Sequence, residues 1–331
     1  MQNKLKKFQL FDGIRELLVQ ARQSVVRHIN TTMVKTYFEI GRMIVEDEQE
    51  GEKRADYGKK QLQELSIKLG VEFGRGFSVD NLEHMRKLYL VYSKSEKVSR
   101  KFELSWSHYV LLMRWDEPIR KFYEIEAAQN NWSLRELQRQ FDTALYERLA
   151  LSRDKKQILE LSSKGQIIEK PENLIKDPYI FEFLGLKEDR SYSESEIESK
   201  LIDHLESFLL ELGKGYTFVA RQQRISFSEQ HFFIDLVFYN RLLKCFVVID
   251  LKIGEFKHQD LGQLQMYVNY YDRKVKSGLE NKTIGVLLCA DKDDAVVKMT
   301  LPEDNKQLYA SQYKLYLPTK EELIKQIKMG R

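Results

Sequence analysis

The sequence predicts a mostly α-helical first half followed by a mixed α/β second half, on three observations. Residues 12 to about 150 repeat their apolar positions with the 3.6-residue period of helices and contain few prolines. From Tyr216 the period changes to two, in runs rich in aromatic and β-branched residues. One helical stretch then separates the strand-like runs, an α-β-β-β-α-β order that lays helices against a mixed sheet. A length of 331 residues suits about two domains. The boundaries expected are 10–150 for the helical domain, 151–192 for a connector and 193–320 for the α/β domain.

In the first half, Ile14, Leu17, Leu18, Ala21, Val25, Ile29, Met33, Tyr37, Ile40 and Ile44 form one long apolar stripe. Glu46 to Arg54 is a charge run, read as a solvated helix end or loop. A helix-turn-helix-like pattern follows. Leu62, Leu65, Leu69 and Phe73 make a stripe, Gly74 to Phe77 a turn, and Ser78 caps a helix from Asn81 to Tyr92. Arg75, Asn81, His84, Arg86 and Lys87 would give that second helix the polar, cationic face that reads a DNA groove. A plain structural or protein-docking helix shows the same pattern, so both readings stay open. Basic Lys94, Lys97, Arg100 and Lys101 follow it. Trp106, Trp115 and Trp132 read as core anchors, and Ser133 with Glu136 has capping-box spacing.

The connector reads as a hinge carrying one short docking element, with apolar Tyr179 to Leu186 between Asp177-Pro178 and a polar run. An acidic amphipathic helix is expected over 194–212, ending at Gly213. Strands are expected at Tyr216–Ala220, Gln222–Phe227, Phe232–Tyr239 and Cys245–Lys252. A helix over Lys257–Lys276 and strands at Thr283–Ala290 and Tyr313–Leu317 complete the chain.

Composition narrows the function classes. Hydrophobic residues make up 42% and charged residues 31% of the chain, ordinary for a soluble globular protein. Residues 1–150 carry 26 Lys and Arg against 22 Asp and Glu, which is the whole formal excess of +4. That bias permits a nucleic-acid partner without demonstrating one. No signal-peptide pattern and no run of roughly 18 apolar residues is visible, so a cytoplasmic protein without a membrane partner is expected. Cys245 and Cys289 sit in apolar strand-like runs and read as reduced core residues.

The chemistry concentrates in Phe232 to Lys252. If Arg241 to Lys244 form the loop of a symmetric hairpin, Asp235 stands opposite Asp250, with Lys252 on the same face as Asp250. Like charges paired across strands are destabilising, and charges within an apolar sheet are costly unless neutralised. A divalent cation would neutralise them. Magnesium, or manganese, suits two carboxylates, and the carbonyl of Leu251 would complete the protein ligands. Lys252 would orient a water and offset charge at a phosphorus. Glu211, or Glu206, could face the same pocket from the preceding helix. Gln263 and Tyr267, at i and i+4, would brace the lysine or touch a nucleic-acid backbone. The bland alternative is an ion-pair network at a sheet end.

Asp235, Asp250-x-Lys252 and Gln263-x-x-x-Tyr267 together resemble the PD-(D/E)xK nuclease superfamily. More closely, Glu211 to Val219, Phe233 to Tyr239 and Val247 to Gly254 look like the YhcG family. So do Tyr57-Gly58, Phe73 to Ser78, Leu104 to Tyr109 and Trp132 to Leu137 in the first half. The resemblance covers most of residues 10 to 320. It implies a winged-helix-like N-terminal domain joined to a restriction-endonuclease-like C-terminal domain, in prokaryotes, acting on DNA in repair, recombination or defence. Ile234 stands where the superfamily has Pro, and Asp250 where the family more often has Glu. A metal-dependent DNA endonuclease is therefore expected, with DNA as partner and a homodimer or protein partners through the helical domain as further expectations. The alternative is a weak or inactive nuclease-like module that binds DNA or assembles with other proteins.

Overall fold

In a computed structural model of the protein, residues 2–50, 55–93, 102–151, 155–187, 191–227 and 229–317 are described. The chain divides into two compact units, 1–137 and 138–331. Lys94, Lys97, Arg100 and Lys101 lie outside the described residues, and so does the side chain of Tyr57.

The first unit is built from helices α1 (Gln2–Glu50), α2 (Ala55–Phe73), α3 (Val79–Tyr92), α4 (Trp106–Leu112) and α5 (Glu117–Asn130), with α6 (Leu134–Asp142) beginning at its end. Its helical character is as expected. Among its described residues there is no strand, so no wing is seen there. Leu82, Met85 and Leu88 of α3 are buried, as are Val34, Ile44 and Val45 of α1 and Leu62 of α2. Gly41 lets α1 approach α3 closely, because a Cβ there would strike the carbonyl of Met85. Ser78 caps α3 by accepting from the Asn81 amide at 3.3 Å, and Ser133 and Glu136 form the reciprocal capping box. Of the stripe on α1, only Tyr37, Ile40 and Ile44 reach the core. Ile14, Leu17, Leu18, Val25, Ile29 and Met33 are exposed, because the helix runs on well before its packing begins at Val34.

The second unit holds α7 (Leu145–Leu151), α8 (Lys155–Lys164), β1 (Tyr179–Ile180), α9 (Glu194–Asp203), α10 (Leu205–Leu212), β2 (Tyr216–Phe227), β3 (Gln230–Asn240) and β4 (Cys245–Glu255). It continues through α11 (His258–Tyr270), β5 (Ile284–Asp291), α12 (Asp294–Thr300) and β6 (Leu308–Lys314). The six strands form one mixed sheet in the order β1-β6-β5-β4-β3-β2. The β2–β3 and β3–β4 pairs are antiparallel, and the others parallel. One face carries a core of Leu236, Phe238, Val247, Ile249 and Leu251 against Ile197, Leu201 and Phe208 of α9 and α10. The other packs Val248, Leu287 and Cys289 against Leu261, Leu264, Tyr267 and Val268 of α11. Gly285 permits that closeness, since a Cβ would lie 2.8 Å from Val268 and 2.9 Å from Leu264. Both cysteines are buried and unpaired, as expected.

Four elements differ from the sequence reading. The helix expected over 194–212 is two, because the chain leaves helical geometry at His204 (φ −111°, ψ 35°). The two strands expected at 216–227 are one, with a register shift between Phe218 and Ala220 and Gln222 held at φ 45°. The last strand begins at Leu308 and not at Tyr313. The stretch read as a hinge supplies β1, paired with β6, and buries Leu174, Tyr179, Ile180, Phe181 and Leu184 in the sheet core. Among the described residues, no helix is long and apolar enough to cross a membrane.

Candidate active site

The hairpin forms in the expected register. Asn240 pairs with Cys245 across residues 241–244, and the ladder runs to Leu236 opposite Ile249. Asp235 and Asp250 are the next two residues, at the point where β3 and β4 stop pairing. The Asp235 side chain takes over from the backbone there, accepting from the Leu251 amide at 2.8 Å. Its other oxygen accepts from Gln222 Nε2 at 3.1 Å.

Asp250 is 1% exposed. Lys252 Nζ lies 3.0 Å from its Oδ2, in ion-pair range but without hydrogen-bond alignment, so this buried oxygen has no hydrogen-bond donor. Glu194 of α9 stands on the far side of the lysine, 3.8 Å from Nζ, and accepts from the Ile253 amide at 3.4 Å. Burial, then repulsion from Asp235, pushes the Asp250 carboxyl up to about 7. Asp235 is raised as well, mainly by burial. Burial alone would lower Lys252, but Asp250 and then Glu194 outweigh it, and the ammonium is held above its usual range. The site therefore holds one buried and one half-buried carboxylate around a single lysine.

Tyr267 and Gln263 act on the backbone rather than on the lysine. Tyr267 donates to the Phe233 carbonyl at 2.9 Å, and Gln263 donates to the Tyr267 hydroxyl at 2.5 Å. This chain fixes β3 two residues before Asp235, and so sets where that carboxylate points.

Glu211 is not one of these groups, and Glu206 has no described contact with them. Glu211 is fully buried and accepts from Arg148 Nη1 at 2.6 Å and from the Ile180 amide at 3.0 Å. Arg139 approaches to 3.5 Å. The break at His204 puts Glu211 on α10, whereas Glu194, the helical acid beside Lys252, is on α9. The acid that sequence reasoning missed is Glu198, on α9 one turn after Glu194 and 3% exposed. It accepts from Arg221 Nε at 2.6 Å and from Gln222 Nε2, so the Gln222 amide bridges Glu198 and Asp235. The pair Glu194 and Glu198, four residues apart on a helix before the hairpin, was the available signal.

Among the described residues, no group of three or more His, Cys, Asp or Glu side chains is arranged to hold a metal ion. The donor set is the pair Asp235 and Asp250. It fits a magnesium-like ion, which is held by one or two carboxylates with water and substrate completing its shell. The undonated Oδ2 of Asp250 and the raised carboxyls point the same way.

In the first unit, two of the five residues expected to face DNA are committed elsewhere. Asn81 donates to the Gly76 carbonyl and accepts from Trp106 Nε1 at 2.8 Å, tying the turn to α4. Arg86 pairs with Glu48 of α1 at 2.6 Å. Arg75 and Lys87 are exposed and His84 is half-buried.

Two family models match the chain. The YhcG PDDEXK nuclease domain covers residues 172–328, and the DUF1016 N-terminal domain covers residues 13–148. The protein described as "Putative nuclease YhcG" of Escherichia coli (strain K12) is 38% identical over 346 residues, spanning 95% of this chain and 92% of that one. A repair endonuclease from Pyrococcus abyssi has 16% identity and a TM-score of 0.26, over 40% of this chain and 50% of its own. The apo form of EndoMS has 17% identity and a TM-score of 0.26, over 40% and 49%.

Proposed function

The chain belongs to the YhcG family of PDDEXK nuclease-domain proteins, and on that premise we propose that it is a metal-dependent DNA endonuclease hydrolysing phosphodiester bonds. The observation that carries this reading is the pair Asp235 and Asp250 at the parting of β3 and β4, with Lys252 3.0 Å from Asp250. Asp235, Asp250 and the Leu251 carbonyl would hold the magnesium or manganese ion. When bound, that ion supplies Lewis-acid polarisation of a phosphate and a water of lowered pKa. Lys252 orients the attacking water and offsets charge as it builds on the phosphorus. Gln263 and Tyr267 keep β3 in place, and Glu198 keeps Gln222 against Asp235.

Arg75, His84 and Lys87 are the residues of the helical unit that would meet DNA phosphates. Such contacts would make affinity fall steeply with salt. Cutting both strands of a duplex with one site per chain favours a homodimer.

The metal separates an enzyme from a binding module of the same fold. Magnesium or manganese is expected to raise the melting temperature of the wild-type protein by several degrees and to give a calorimetric binding isotherm. Asp235→Ala is expected to abolish both. A wild-type protein indifferent to either metal would contradict the reading.

A further inference from the structure

We infer that the uncovered apolar stripe of α1 pairs with the same stripe of a second copy of this chain, the two helices running antiparallel about a two-fold axis between Ala21 and Arg22. Such a dimer forms or fails whether or not the chain cuts DNA. It gives a surface to the homodimer that two-strand cutting favours.

The two sides of α1 are used differently. At 3.6 residues per turn, Thr31, Val34 and Phe38 fall on one side of the helix. That side belongs to the helical unit. Thr31 donates to the Phe102 carbonyl at 2.8 Å, Val34 is fully buried, and the Phe38 ring lies 5.2 Å from Tyr89 and 5.6 Å from Phe102. Ile14, Leu18, Val25 and Ile29 fall on the opposite side and are 49–58% exposed. A continuous apolar stripe left open over so long a stretch marks an interaction surface.

The symmetry of the stripe identifies the occupant. In antiparallel copies, residues equally far from the axis on its two sides stand at the same height. Ile14 then meets Ile29, Leu18 meets Val25, and Leu17 meets Val26. Leu10 and Met33 meet at the two ends, and Phe11 falls against Thr32. An isologous interface uses one patch on both subunits, so that patch has to be complementary to itself in this way. A parallel pair or an unrelated partner places no such demand on the spacing. At the axis, Arg22 of one copy faces Ala21 of the other, whose small side chain leaves room for the arginine stem while its head stays in water.

The area is sufficient. From Leu10 to Met33 the seam runs about 35 Å at 1.5 Å per residue. Half-exposed apolar side chains along it offer on the order of 1,000 Å² per chain, where a stable interface takes about 800 Å² from each partner.

The test is the mass of the full chain by sedimentation equilibrium at micromolar concentration. The wild-type chain is expected to be a dimer. Leu18→Glu and Ile29→Glu, which set a charge on the seam, are each expected to give a monomer. Val19→Glu, off the seam and 45% exposed in the wild type, should keep the dimer. Circular dichroism identifies any variant that fails to fold. Pairing direction is read from oxidised cysteine variants, since native Cys245 and Cys289 are buried. Leu18→Cys chains mixed with Val25→Cys chains are expected to form a disulfide-linked pair. Leu18→Cys alone should not, because its two copies lie about 10 Å apart along the seam. A monomeric wild type, a dimer that both folded glutamate variants retain, mixed cysteine chains that fail to join, or Leu18→Cys chains that join to themselves would each overturn the inference. A monomer that binds anionic phospholipid vesicles would overturn it by giving the stripe to a lipid surface. Cleavage is scored separately: a dimer that does not cut removes the nuclease reading alone, and a monomer that cuts removes the dimer alone.

Discussion

Lys252→Ala is expected to lower DNA cleavage by at least about 10²–10³-fold while the protein stays folded. Removing one preorganised charge-stabilising group from a water-excluded site typically costs that much. The side chain is 19% exposed and sits between Asp250 at 3.0 Å and Glu194 at 3.8 Å, so its loss withdraws a cation held against Asp250. Burial of the remaining carboxylate would ordinarily be costly. Here the Asp250 carboxyl is already raised to about 7, and taking up a proton relieves it. The melting temperature is therefore expected to move by only a few degrees. Gel-based cleavage rates with matched thermal melts check both halves. Undiminished cleavage by the variant, at matched purity, would remove Lys252 from the chemistry.

Glu211→Ala is expected to destabilise the second unit by about 3–5 kcal/mol, the usual cost of stranding one partner of a buried ion pair. Arg148 is fully buried, and its guanidinium donates to both Glu211 oxygens, at 2.6 and 3.4 Å. Burial would raise the Glu211 carboxyl, but Arg148, Lys176 and Arg139 outweigh it and hold it down to about 2. A depressed carboxyl stabilises the fold above its unfolded value, near 4.3, and loses that contribution as pH falls toward 2. Wild-type stability should accordingly decline through that acid window, and Glu211→Gln should flatten the decline. Chemical denaturation across pH measures both. A Glu211→Ala protein with wild-type stability and no cleavage would return Glu211 to the active site.

The same acid shows where sequence and structure part. The hairpin register was legible because alternation and a four-residue loop leave one way to pair Asn240 with Cys245. Asp235, Asp250 and Lys252 therefore meet where the spacing puts them. The α-helical and α/β halves were legible from the change of period. The break at His204 was not, because no proline or glycine marks it. Glu211 was thus placed on the wrong helix, and Glu198 was lost among the many acids of 194–211. Asn81 read as an outward polar residue because a pattern cannot show that Gly76 and Trp106 already engage its amide. The two-residue strand at Tyr179 is too short to carry a period, so a core segment looked like a hinge.

The central claim is that Asp235, Asp250 and Lys252 form a metal-dependent phosphodiesterase centre. Its most direct test is cleavage of plasmid, linear, single-stranded and branched DNA by the wild-type protein and by the Asp250→Ala/Lys252→Ala double variant, in magnesium or manganese and in EDTA. The account predicts cutting by the wild type in metal alone, and none by the double variant. Cutting that survives EDTA or the double substitution would contradict it, as would no cutting of any substrate by a folded, DNA-binding wild-type protein.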